Sequence, residues 1–111
     1  MPAITSLETG FYRVPLPVVM TDSTHGEMKA FELNTVRIRD HDGAEGVGYT
    51  YTVGRNGGAT ESILASEMPE ILEGSDADQI EALWEKMWWA LHYGGRGGPA
   101  VLAISAIDIA L

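Results

Sequence analysis

Apolar residues change their spacing along the chain. In the first half they fall in short β-branched and aromatic runs; in the second they recur every three or four positions. The clearest element is a helix carrying Ile80, Leu83, Trp84, Met87, Trp88 and Leu91, one apolar stripe at i, i+3, i+4, i+7, i+8 and i+11. Ser75 or Asp76 is expected to cap it, with Asp78 and Glu81 at the positive end of its dipole. The run Gly94-Gly95-Arg96-Gly97-Gly98 stops it. Pro99 then opens a last helix, nearly all apolar, that runs to Leu111. Such a helix is expected to be buried on every side. It has no closing Gly, Asn or cation. The chain is therefore expected to be the front piece of a longer protein.

Residues 3–14 predict a first strand, with Gly10 suggesting a bulge and Pro15 and Pro17 ending it. Val18 to Ala30 reads as a long loop around Asp22-Ser23-Thr24-His25-Gly26. Phe31–Arg39 and Ala44–Thr52 predict a hairpin closed by Asp40-His41-Asp42-Gly43. Val36 and Ile38 share one face, Phe31 and Leu33 the other, so both faces are expected to be partly covered. Val53–Gly58 forms a second loop. A short helix over Ala59–Ser66 follows, capped by Thr60; Pro69 breaks the segment, Ile71 and Leu72 start another turn, and Gly74 ends it. Strands first and helices after predict an α+β fold: a three-stranded antiparallel sheet followed by a helical bundle.

Charge and composition narrow the chemistry. The net charge is −9 and the seven Lys and Arg are scattered, which argues against nucleic acid. Cysteine is absent, so disulfides, thiolate nucleophiles and cysteine metal clusters are excluded. The N-terminus lacks the pattern of a secretory signal and no apolar run is long enough for a membrane span. A cytoplasmic protein is expected. His25, His41 and His92 show no metal-ligand spacing, and no Gly-x-Ser-x-Gly elbow is present. His41 suits an exposed turn and His92 a helix C-terminus. The two Gly-Arg-rich runs at 54–58 and 94–98 each precede a helix but match neither phosphate-loop nor dinucleotide patterns. A flexible turn accounts for 94–98 better than anion binding does, and for 54–58 equally well.

The two long loops carry the sharper expectation. In a hairpin of the second and third strands, Phe31 lies near Thr52, so the loop before one and the loop after the other leave the same end of the sheet. They are expected to form one lid, with His25, Tyr51 and Arg55 facing a ligand.

Arg13-Val14-Pro15-Leu16, the long loop, Glu45-Gly46-Val47-Gly48-Tyr49-Thr50 and Ala103-Ile104-Ser105-Ala106-Ile107-Asp108-Ile109-Ala110-Leu111 resemble the N-terminal capping domain of the enolase superfamily, in its mandelate racemase and muconate-lactonizing branch. The resemblance spans the whole chain. It implies a cap (residues 1–98) and, at 99–111, the start of a helix leading into a C-terminal TIM barrel. It implies Mg²⁺ in the complete enzyme, held by barrel carboxylates, and proton abstraction next to a substrate carboxylate. It places Thr24, His25 and Gly26 in one substrate-binding loop and Tyr51, Val53 and Arg55 in the other. The polar first loop favours an acid sugar, and so a dehydratase over a racemase. The resemblance also implies a symmetric homo-oligomer when complete. No metal ligand and no catalytic residue is expected in this chain, so it would be inactive alone. The alternative is a free-standing binding module on the cap fold, its last helix covered by a partner.

Trp88 belongs to the core stripe, whereas Trp89 faces another side, toward a missing barrel or a second core contact. Asp108, an acid in an apolar helix, is expected to be a structural acceptor at a domain junction.

Overall fold

The structure is a computed structural model that describes residues 1–111. Three antiparallel strands in the order β1-β2-β3 form one sheet: β1 (Ile4–Asp22), β2 (Gly26–Asp40) and β3 (Glu45–Thr52). The helices follow: α1 (Gly57–Ser62), a π-helical turn (Ile63–Glu67), α2 (Met68–Leu72), α3 (Ile80–Leu91), a 3₁₀ turn (His92–Gly94) and α4 (Pro99–Ala110). The α+β class and the three-stranded sheet are those expected from the sequence.

Register explains the two faces. On β2, Asn34, Val36 and Ile38 are buried, and opposite them on β3 stand Thr50, Gly48 and Gly46. This inner face meets the helices. Val47, Tyr49 and Tyr51 point the other way and are more than half exposed. The core joins Val36 and Ile38 to Leu64, Met68 and Leu72, to Leu83 and Met87 of α3, and to Ala103, Ile104, Ala106, Ile107 and Ala110 of α4.

The approach of α4 to the sheet is backbone to backbone. A Cβ on Gly46 would lie 1.8 Å from the Ala110 carbonyl oxygen, and one on Gly48 would lie 1.9 Å from that of Ala106. Glycines at alternate positions of β3 and alanines along α4 make this spacing possible. The chain start is tied down too. The Ile4 amide donates to Ser75 and the Gly74 amide to Ile4, at 2.9 and 2.8 Å.

Several local expectations are corrected. The segment Val18–Ala30 is not a loop: β1 continues to Asp22 and pairs with β2 as a ribbon, Met20 opposite Met28 and Asp22 opposite Gly26. Prolines do not end β1 because it is an edge strand. Pro15 still pairs with Ala30, and Leu16 to Val19 bulge out against Lys29 alone, which takes the missing N–H of Pro17 out of the ladder. Gly10 is not a bulge; it pairs with Thr35 in register, and the other irregularity falls at Thr5. Thr60 does not cap a helix. It is buried inside α1 and its hydroxyl donates to the Asn56 carbonyl at 2.9 Å. Pro69 does not break the segment either. The helix runs on through the π turn, which absorbs the loss of the Pro69 N–H. At α3, Gln79 occupies the N-cap without a side-chain bond, because the Asp76 carboxylate accepts from the Asp78 amide in a turn of its own, at 3.0 Å.

The apolar stripes are covered only in part. On α3, Leu83 and Met87 are buried, Trp88 is half-buried and stacked on Trp84 at 5.5 Å, and Ile80 and Trp84 are exposed. Trp89 is exposed, edge-on to His92. On α4, Ser105, Asp108 and Ile109 are exposed, so the last helix is buried on one side within this chain, not on all. Asp108 accordingly stands in solvent on that open side and accepts no hydrogen bond from this chain.

Candidate functional site

Two chain reversals at the same end of the sheet build the site. The first is the tip of the β1–β2 ribbon. Here the Asp22 carboxylate accepts from the Thr24 amide at 2.9 Å and from the His25 amide, and its second oxygen accepts from the His25 ring Nδ1–H at 2.8 Å. These bonds lower the Asp22 pKa, the His25 backbone N–H most and the His25 side chain next. The ring is thereby fixed by a carboxylate that belongs to the same turn. Gly26 turns the chain with φ +69°.

The second is the segment after β3. Tyr51 stacks on Phe31 at 5.1 Å, and Thr52 donates its hydroxyl to Glu32 at 2.9 Å. Gly54, at φ +102°, and Asn56, at φ 69°, turn the backbone left-handed into α1. At Gly57 a Cβ would press on the Glu32 side chain at 2.8 Å, so glycine there admits the carboxylate beside the first turn of α1. Arg55 lies between them, exposed and in no ion pair with the chain.

Between these reversals opens a cleft of about 620 Å³. His25, Tyr51, Val53 and Arg55 line it, which brings together four of the six residues singled out from the sequence. Thr24 and Gly26 flank His25 in the ribbon tip and are exposed, but do not line the cleft. Thr50, Thr52, Asn56 and Leu102 complete the lining and were missed. Thr50 and Thr52 did carry a signal, as polar residues at the inward period of β3; Leu102 carried none, since it reaches the cleft only through the placement of α4. Arg55 is the only Arg or Lys in this lining. In a chain of net charge −9 it is the group that can pair with a carboxylate.

The other histidines lie elsewhere. His41 is in the β2–β3 turn beside Asp42, 3.3 Å away. His92 closes α3 and its Nδ1–H donates to the Trp89 carbonyl at 3.1 Å, as suits a helix C-terminus.

A three-stranded meander backed by helices, with a cleft between two loops at one end, is the architecture of the enolase-type N-terminal capping domain. Residues 6–111 match the model of the mandelate racemase / muconate lactonizing enzyme N-terminal domain, and the chain belongs to that family. It is 56% identical over 108 residues to a 3,6-anhydro-alpha-L-galactonate cycloisomerase of Streptomyces coelicolor, covering 97% of this chain and 30% of that protein. A crystal structure of a racemase from Streptomyces coelicolor A3(2) with bound magnesium superposes with TM-score 0.93 at 56% identity, over 96% of this chain and 30% of that one. An L-talarate/galactarate dehydratase from Salmonella typhimurium LT2, liganded with Mg and L-lyxarohydroxamate, superposes with TM-score 0.87 at 31% identity, over 97% and 29%. The chain thus spans about 30% of the length of such relatives.

No three His, Asp or Glu side chains converge closely enough to hold a metal ion. No helix is long and apolar enough to cross a membrane.

Proposed function

We propose that this chain is the substrate-capping, specificity-determining domain of a Mg²⁺-dependent enzyme that removes the proton beside the carboxylate of an acid sugar. Residues 1–98 form the cap, and residues 99–111 lead toward a C-terminal barrel that supplies the metal ligands and the acid and base. The complete protein is cytoplasmic and a symmetric homo-oligomer. The observation that carries this reading is the cleft itself: His25 from one hairpin end and Tyr51, Val53 and Arg55 from the other line a single opening. Cap residues do not perform the chemical step. Arg55 pairs with an anionic group, the Asp22-held His25 ring and Thr52 offer hydrogen bonds to hydroxyls, and Tyr51 and Val53 exclude water.

Two reaction outcomes fit this role. A polar ribbon tip suits dehydration of an acid sugar. The 56% identity to a cycloisomerase acting on an anhydro-galactonate favours cycloisomerisation of the same class of substrate. Both begin with the same proton removal.

The test uses this chain joined to its barrel. Arg55→Ala and His25→Ala should each lower kcat/KM toward acid sugars roughly 10-fold or more, the loss of a charge-assisted hydrogen bond, with an unchanged circular dichroism spectrum. Full activity in both variants removes these residues from the site.

A further inference from the structure

Asn34 is the one side chain of the core whose polar atoms have nothing to bond. It lies in the middle of β2 on the inner face and is 0% exposed. Neither its Oδ1 nor its Nδ2 has a hydrogen-bond partner in the chain. Exchanging the two amide atoms does not help, because both positions are unpartnered. Buried amides are almost always satisfied, and a group this enclosed cannot be reached by any further domain. Only something small, already inside, can pair with it.

The register says where that partner sits. Asn34 stands directly opposite Thr50 on β3. Thr50 is itself buried, at 7%, yet lines the cleft. Cross-strand neighbours of this kind hold their Cβ atoms about 5 Å apart, and these two side chains make no direct bond. One water spans such a gap with two hydrogen bonds.

We propose that Asn34 seats one internal water, and that this water ties the Asn34 amide to the Thr50 hydroxyl at the wall of the cleft. Asn34 is thereby a positioning residue. It touches no ligand, but it orients a hydroxyl that can. The water site is independent of the reaction the complete protein performs.

The first test is a crystal structure of the protein at a resolution that shows ordered water. The expected result is one peak within hydrogen-bond distance of the Asn34 amide and of Thr50 Oγ1. A direct bond from the amide to a protein group, or an empty space beside it, overturns the proposal. A water on Asn34 that does not reach Thr50 overturns the link to the cleft. The second test is a double-mutant cycle on the melting temperature with Asn34→Leu and Thr50→Val. A shared water predicts that the double variant shifts by less than the sum of the single shifts. Strict additivity counts against it. The crystal structure decides the matter if a variant does not fold.

Discussion

Gly48 and Ala106 meet without a side chain between them: a methyl group added to Gly48 would lie 1.9 Å from the Ala106 carbonyl oxygen. A strand and a helix are thereby held at the closest separation their backbones allow. Neither can yield alone, since β3 is paired to β2 and α4 also packs its alanines and Ile107 into the core.

Gly48→Ala should therefore be among the most damaging single methyl additions in the chain, costing about 3 kcal/mol or more by overpacking against backbone. Gly58 is the control. It lies in α1 with ordinary backbone angles and open space where a Cβ would go. Gly58→Ala should stabilise by about 0.5–1 kcal/mol through reduced freedom of the unfolded chain. Urea denaturation of the two variants checks both signs. Equal midpoints would mean that α4 is not pinned to β3 as described.

Asn56 is the only non-glycine residue with positive φ, at 69°. Asn56→Gly should be tolerated. Asn56→Ala should cost about 1 kcal/mol, because alanine keeps the Cβ strain of that conformation and loses the short polar side chain with which Asn offsets it by local hydrogen bonding. Both variants keep the carbonyl that accepts from Thr60. Thermal melting distinguishes them, and an alanine variant as stable as the glycine one would contradict the left-handed entry into α1.

The ribbon tip should respond to acid. Asp22 is held below its ordinary value of 3.8 by the His25 N–H and then by the His25 side chain. A carboxylate whose folded pKa is depressed lends stability above its unfolded pKa. That stability is lost as pH falls through the folded value. The tip should keep its shape at pH 5 and loosen only below about pH 4. Amide shifts of Thr24 and His25 through an acid titration report this, and Asp22→Asn should abolish the response. A midpoint at or above the ordinary carboxylate range would show that the bonds to His25 do not persist in solution.

The Arg39–Glu45 pair makes the opposite case. Arg39 donates to Glu45 across the β2–β3 hairpin, which lowers the Glu45 pKa and raises that of Arg39. Both groups are solvent-exposed, and exposed pairs contribute little. Glu45→Gln should leave the melting temperature unchanged within error, and a clear fall would assign the hairpin a larger electrostatic share.

What was legible in the sequence follows the range of the forces involved. The hairpin at Asp40–Gly43, the inward Val36 and Ile38, and the α3 stripe are set by neighbours a few residues away. The ribbon is hidden because Pro15 and Pro17 have the form of strand stops, and only the sheet order shows that β1 is an edge where a missing N–H costs nothing. Thr60 looked like a cap because its residue type suits one, yet the backbone of Asn56 already makes the turn. Within the cleft, His25 and Arg55 could be paired from hairpin topology alone. Leu102 could not be joined to them, since that depends on where α4 crosses β3. The open sides of α3 and α4 could not be judged from hydrophobicity, which says that a surface needs cover and not what covers it.

The bulge at Leu16–Val19 carries none of the core, for Leu16 is half-buried and the three residues after it are exposed. It also interrupts β1 between the paired body of the sheet and the tip that bears His25, while β2 runs through. A residue gained or lost there is expected to shift the imidazole relative to Arg55 and to leave Val36, Leu64 and Ile107 in place, since none of the bulge residues belongs to the core. The ribbon tip and the core thus depend on separate stretches of the same chain, so the bulge can change in length or sequence without touching the residues that hold the fold.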